Sequence, residues 1–182
     1  MDQLTISPGG AQDIPRLERL WVAVHHQHMA SMPDLAPYVS DEVTWRERRA
    51  LYDELFGKPD TILMLASLDG DLVGYALAHV TDARETWAGD TWATGERIAE
   101  LESISVLPEH RGAGIGSALF DAIDRELESR GIEDVVIGAL PGNEGAIRLY
   151  ERRGYRPTWL YLSRFAGRPA AATREHGEDA AG

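Results

Sequence analysis

The chain has 182 residues, 43% of them hydrophobic and 26% charged, with a formal net charge of -12 and no cysteine. That length supports one substantial core, the charge excludes nonspecific attraction to nucleic acid or anionic lipid, and the lack of cysteine excludes disulfides, thiolate metal sites and cysteine nucleophiles. The amino-terminal stretch MDQLTISPGG has neither a basic region followed by an apolar run nor anything near the ~20 apolar residues that span a bilayer, so a cytoplasmic protein with no membrane partner is expected.

In chain order, Leu4 to Ser7 is a short strand candidate, and Asp13 is positioned to cap a helix that tolerates Pro15 in its first turn. Leu17, Leu20, Trp21 and Val24 recur at helical spacing, which makes that helix amphipathic. A proline-rich loop over residues 31–40 leads into a second helix near 41–56, closed by Gly57 and Pro59. ILMLASL and LVGYALAHV flank an Asp-Gly turn, the pattern of a hairpin, and residues 82–97 read as a long hairpin loop carrying Trp87 and Trp92.

In IAELESISV, residues 98–106, a two-residue period puts Ile98, Glu100, Glu102, Ile104 and Val106 on one face and Ala99, Leu101, Ser103 and Ser105 on the other. Beyond a glycine turn, Leu119, Ala122, Ile123 and Leu127 mark the buried stripe of a helix that stops at Gly131. An apolar strand at Val135 to Ile137 follows, then a short helix from the cap Asn143 to Arg153, then a last strand around Trp159 to Phe165. This order predicts an α/β fold with a mixed, mostly antiparallel central sheet flanked by helices and one strand-helix-strand crossover, in a single domain over residues 1–165. The tail over 166–182, made of alanine, glycine and charge, reads as disordered.

PEHRGAGIGSAL, residues 108–119, sets Gly112, Gly114 and Gly116 at alternate positions in front of a helix. Each glycine inside a helix costs about 1 kcal/mol relative to alanine, so stability alone does not select this run. A strand entering such a turn directs the amides of Gly112, Ala113, Gly114, Ile115, Gly116 and Ser117 at one spot, reinforced by the positive end of the helix dipole. That spot binds phosphate. Side chains at the glycines would block the approach of a pyrophosphate, while Arg111 adds a charge-assisted partner; the alternative is a glycine run that only permits a tight strand-to-helix connection. No Lys-Ser or Lys-Thr completes a P-loop, and Ser117 stands where the dinucleotide fingerprint has its third glycine, so a dinucleotide oxidoreductase does not fit the spacing.

RGAGIG matches the R/Q-x-x-G-x-G/A signature of the GNAT acetyltransferase superfamily, and VLPEHRGAGIGSALFDAI resembles that family's strand, pyrophosphate loop and helix throughout. A separate stretch, NEGAIRLYERRGY at 143–155, resembles its N-x-x-A-x-x-x-Y-x-x-x-G-F/Y segment, in the family's order and at its distance. The resemblance implies acetyl-CoA as the ligand of the glycine loop. It implies that the strand before the loop splays from its parallel neighbour and pairs with the pantetheine arm through Ile104, Ser105 and Val106, the Val106 amide being the candidate oxyanion donor. Asn143 matches a cofactor-contacting residue and is equally fitted to cap its helix. Tyr150 matches the tyrosine that protonates the coenzyme A thiolate; a phenol of pKa about 10 suits an acid, although a tyrosine on a short helix also suits a core.

Glu100 and Glu102, two apart on a strand, put two carboxylates on one side, where each raises the other's pKa and either can take an amine proton directly or through water; a solvated strand face is the alternative. Glu100 resembles the glutamate base of histone-acetylating members. Ser103 and Ser105 face the other way and lack an activating histidine, which argues against a serine nucleophile. His25, His26 and His28 lack a carboxylate at ligand spacing, so no metal is expected. In the family the first two helices and the loop between them border the acceptor, which makes His28, Met29, Met32 and Tyr38 candidate substrate-binding residues and lets Trp87 and Trp92 cover the same mouth. An acidic, aromatic-lined cleft favours a cationic small-molecule amine, acetylated by direct attack on the thioester. A protein amino terminus or lysine as acceptor, and a non-catalytic acyl-CoA sensor, are the alternatives. YRPTWLYLSRF leaves room for a very short hairpin or for a partner subunit to complete the sheet, so monomer and homodimer stay open.

Overall fold

The computed structural model describes residues 3–165; the tail read as disordered lies outside the described residues. A short strand, β1 (Leu4–Pro8), is followed by a 3-10 turn over Ala11–Leu17 that runs directly into helix α1 (Glu18–Ser31). Asp13 does not stand at the cap position but inside this turn, where its carboxylate reaches back to accept from the Gly10 amide at 3.1 Å. Helix α2 (Asp41–Phe56) is capped by Ser40, whose hydroxyl oxygen accepts from the Val43 amide. Strands β2 (Thr61–Leu68) and β3 (Asp71–Asp82) form the expected hairpin, its turn passing through Asp69 and Gly70, both at positive φ. Strand β4 (Arg97–Val106), helix α3 (Ile115–Ser129), strand β5 (Asp134–Ile137) and helix α4 (Glu144–Arg152) complete the order.

The strands form one sheet in the order β1-β2-β3-β4-β5, antiparallel throughout except for the parallel pair β4 and β5. This is the mixed, mostly antiparallel α/β sheet that the sequence predicts. α3 covers one face of β2 and β3 while α1 and α2 cover the other, which is why both strands read as near-continuous apolar runs.

Buried polar groups fasten α1 and α2 to the sheet. The Ser105 hydroxyl donates to the Leu20 carbonyl at 2.8 Å, and the Tyr52 hydroxyl meets both the Tyr75 hydroxyl at 2.8 Å and Ser103 Oγ at 2.6 Å. Between the two helices, Trp21 Nε1 donates to Thr44 Oγ1 at 3.0 Å. These bonds fix where α1 lies over β4, and therefore how wide the space beside that strand is.

The structure corrects the sequence reading at two further places. In β4, Ser103 pairs with Leu77 and Leu101 pairs with the next residue, Ala78, so Glu102 is an extra residue in a bulge and the alternation reverses there. Ile104 and Val106 consequently share a face with Ala99 and Leu101, and Ser103 and Ser105 share theirs with Ile98 and Glu100, contrary to an unbroken two-residue period. The second correction concerns Trp159 to Phe165, which forms no strand. Pro157 has no amide proton to give a ladder, Leu160 and Leu162 are 71% and 89% exposed, and β5 pairs with no described strand on its outer edge. Trp159 packs instead against Trp87 and Trp92, edge-on, with ring centroids 5.7 and 6.1 Å away.

Tyr52→Phe removes the hydroxyl that Tyr75 and Ser103 share. The variant should lose about 1–3 kcal/mol of unfolding free energy in urea titration, with an unchanged m-value.

Candidate active site

β4 is paired with β5 only from Ile98 to Leu101. Beyond the bulge its other edge continues along β3 as far as the Val106–Gly74 pair, while the edge towards β5 is left open. The Leu107 amide donates to the Val73 carbonyl at 3.0 Å, so by strand alternation Ser103 and Ser105 direct their backbone groups at β3, and Ile104 and Val106 direct theirs into the opening. Arg111 sits at its mouth, with Nε donating to the Val106 carbonyl at 3.1 Å and Nη1 donating to Gln27 Oε1 of α1, also at 3.1 Å.

The glycine turn closes the lower end. Gly112 and Gly114 have φ of +80° and +81°, a conformation that disfavours any side chain, and a Cβ built on either would meet no protein atom within 4 Å. The first backbone bond of α3 runs from the Ala118 amide to the Gly114 carbonyl, and no described group accepts from the amides of Gly112 to Ser117. A cleft of about 780 Å³ extends from this cradle along Ile104, Ser105 and Val106 to α1 and α4. It is lined by Arg111, Gly112, Gly114, Ile115, Gly116 and Ser117, and by Asn143 and Tyr150; of the expected cofactor residues only Ala113 is not on its wall. The cradle therefore fits a diphosphate: bare backbone, free amides, a helix start and one guanidinium.

Two contacts hold the far wall. A Cβ on Gly142 would fall 1.9 Å from the Ser31 carbonyl oxygen, so the turn before α4 rests directly on the end of α1, and only glycine permits that approach. Arg153 ties the end of α4 to α3, its Nη2 donating to Asp121 at 2.6 Å and to the Ser117 carbonyl at 3.0 Å, and its Nη1 to Asp124 at 3.1 Å. Tyr150 is positioned between these supports, packed against Phe120 and Tyr155 at centroid distances of 5.7 and 6.1 Å. Burial pushes its phenol up to about 12, and its hydroxyl makes no hydrogen bond with any described group. Asn143 caps α4, accepting from the Ala146 amide at 3.4 Å, and lines the cleft as well.

The acceptor side is arranged differently from expectation. Glu102 is held in an ion pair by Arg48 of α2, whose guanidinium lies 3.7 Å from the centroid of the Trp21 ring. Glu100 is half exposed beside His79, with 3.9 Å between carboxylate and Nε2; burial first, then the charge of Glu102, raise its pKa, and His79 opposes them. His79, Glu100 and Glu102 bring metal-type donors together, but the Arg48 guanidinium already supplies the cation that Glu102 meets. Neither glutamate lines the cleft, whereas His28 does. Met29, Met32 and Tyr38 gather at the end of α1 instead, where the Tyr38 hydroxyl donates to the Met32 carbonyl. Trp87 and Trp92 do not cover this cleft; with Trp159 they border a separate cavity of about 810 Å³ against β5 and α4. Arg48, Gln27 and Gly142 were not foreseen: each acts through a partner remote in sequence, and Arg48 is one of several arginines on a charged helix.

The sequence matches the acetyltransferase (GNAT) family over residues 21–155. It is 32% identical over 138 residues to a mycothiol acetyltransferase of Nocardiopsis dassonvillei, covering 76% of this chain and 39% of that protein. The chain spans less than half the length of the curated relatives it matches. A GCN5-related N-acetyltransferase from Ralstonia eutropha JMP134 shares the fold with a TM-score of 0.70 at 19% identity, covering 91% of this chain and 100% of that one. An aminoglycoside N-acetyltransferase in complex with CoA has a TM-score of 0.64 at 19% identity, covering 91% of this chain and 97% of that one.

Gly116 separates the two explanations of the glycine run, because it lies inside α3 and a Cβ there would make only an ordinary contact, 3.9 Å from Val106 Cγ2. Gly116→Ala should leave stability unchanged or raise it by up to about 1 kcal/mol. It should also weaken acetyl-CoA binding in calorimetry by about tenfold or more, equivalent to ~1.4 kcal/mol. Unchanged affinity would mean that this glycine serves the turn alone.

Proposed function

Because this chain belongs to the GNAT acetyltransferase family, we propose that it transfers the acetyl group of acetyl-CoA to a primary amine of a small molecule, by direct attack on the thioester and without an acyl-enzyme. The observation that carries this reading is the open edge of β4 beside a cradle of unengaged amides. The Ile104 and Val106 backbone groups supply an extended partner for the pantetheine arm, and the turn over Gly112 to Ser117 takes the diphosphate. The Val106 amide, aimed into the same opening, is placed to stabilise the oxyanion that forms when nitrogen attacks the carbonyl carbon.

Tyr150 is the proton donor to the departing thiolate. Its phenol, held up at about 12, is protonated at neutral pH, so its acid function declines only as pH rises through that value. Asn143 holds the start of α4, and so the position of Tyr150. The net charge of -12 favours a cationic acceptor, with the Arg48–Glu102 pair contributing no net charge. The relatives named for mycothiol and the neighbour named for aminoglycosides support a small-molecule acceptor over a protein.

Thiol release from acetyl-CoA, followed with sisomicin, spermidine, glucosamine and an amino-terminal peptide as acceptors, tests the reading. Turnover is expected with the small cationic amines, and Tyr150→Phe should lower kcat by about 10²-fold with little change in acetyl-CoA affinity. Turnover with the peptide alone would shift the assignment to protein acetylation, and binding without thiol release from any acceptor would shift it to a sensor.

A further inference from the structure

The amine acceptor arrives as an ammonium, and some group must take its proton before nitrogen can attack. The two glutamates that sequence favours are badly placed for this: Glu102 is engaged by Arg48, and neither glutamate borders the cleft. The histidines of α1 divide sharply. His25 Nε2 lies 3.0 Å from the Val39 carbonyl and His26 Nε2 lies 2.9 Å from Asp41, so both are spent on fastening the loop after α1. The His28 imidazole makes no hydrogen bond with any described group and lines the same cleft as Ile104, Val106 and Tyr150. Its ring is set edge-on to Trp21 at 6.1 Å, and Trp21 is itself fixed by Thr44 and Arg48.

We propose that His28 is the proton acceptor for the incoming amine, an inference that rests on the acetyl-transfer reading above. His28 takes one proton from the ammonium, and the freed lone pair attacks the thioester carbonyl. As the C–N bond forms the nitrogen sheds a second proton to solvent. The C–S bond then breaks with its electron pair on sulfur, Tyr150 protonates that sulfur, and the solvent proton restores the phenol. The products are the amide, the free thiol and one proton carried off by His28.

Burial lowers the pKa of His28 from its ordinary 6.5, and the positive charge of Arg48 and then the neighbouring His25 lower it further. Arg48 from α2, paired with Glu102 of β4, and His25 on α1 act on it directly; the other titratable groups lining its cleft are His110 and Arg111 from the glycine loop and Glu144, Tyr150 and Arg152 from α4. With burial as the main cause, the imidazole is neutral and able to accept a proton at neutral pH, and that capacity is lost only as pH falls through a value below 6.5.

The test compares pH profiles of kcat/KM for wild type, His28→Gln and Glu100→Gln, with whichever of spermidine or sisomicin wild type acetylates. A chain that takes protons from ammonium gives a plateau between the His28 pKa and that of the amine. Without the acceptor only free amine reacts, so kcat/KM rises about tenfold per pH unit across the same range. His28→Gln should lose the plateau and about 10²-fold of kcat/KM at pH 7 while keeping acetyl-CoA affinity; Glu100→Gln should keep the plateau. Imidazole added to His28→Ala should restore part of the rate. In wild type, the His28 Cε1 NMR signal should titrate with a midpoint below 6.5 and move on addition of acetyl-CoA. A His28→Gln profile superimposable on wild type, or a plateau lost in Glu100→Gln instead, overturns the inference while leaving acetyl transfer intact. No thiol release by wild type with any amine would overturn acetyl transfer itself, and this inference with it.

Discussion

Everything at the site depends on β4 leaving β5 after Leu101. Up to that residue the two strands satisfy each other; past it, β4 is still gripped by β3 on one side but on the other turns the backbone groups of Ile104 and the Val106 amide into the cleft, while Arg111 meets the Val106 carbonyl. Unpaired strand groups in a cleft are costly unless a ligand meets them, and an extended chain with amide bonds, such as pantetheine, meets them at their own spacing. The bulge at Glu102 is where the separation begins: it re-aims the strand and turns Ile104 and Val106 to the α3 face. The bond from Ser105 to the Leu20 carbonyl then sets α1 beside the gap, which is what brings His28 to its wall.

The electrostatics divide along the same line. At the cradle, free amides, the start of α3 and Arg111 offer positive potential to a diphosphate. On the α2 side, Arg48 pairs with Glu102 and stacks on Trp21, while burial first, and Arg48 second, hold the pKa of His28 below its ordinary value. Tyr150 is desolvated between α3 and α4 and so retains its proton. In the proposed transfer, His28 and Tyr150 along one cleft would supply the uncharged base and the protonated acid that acetyl transfer to an ammonium needs at neutral pH.

Much of this was legible in the sequence because it is local. The cap at Asn143, the Asp69-Gly70 turn, the tight glycine turn before α3, and the apolar stripe of α3 are each fixed by a few neighbouring residues, and all formed as read. The bulge was not legible, since it is a property of the register between β4 and β3 and leaves the two-residue pattern of β4 looking regular. The Arg48–Glu102 pair spans 54 positions and the Arg111–Gln27 bond spans 84, so no spacing rule finds them. Asp13 misled because an acidic residue serves a helix start either at the cap or a turn later. Trp159 to Phe165 misled because apolar composition predicts a strand without saying which edge it would join.

Amide hydrogen exchange resolved at β4, with and without acetyl-CoA, tests the central claim most directly. The Ile104 and Val106 amides should exchange quickly in the free protein and become protected when acetyl-CoA is added, while those of Ser103 and Ser105, committed to β3, stay protected in both states. Protection of all four before any ligand is added, or no change at Ile104 and Val106 at saturating acetyl-CoA, would contradict an open strand edge as the binding element.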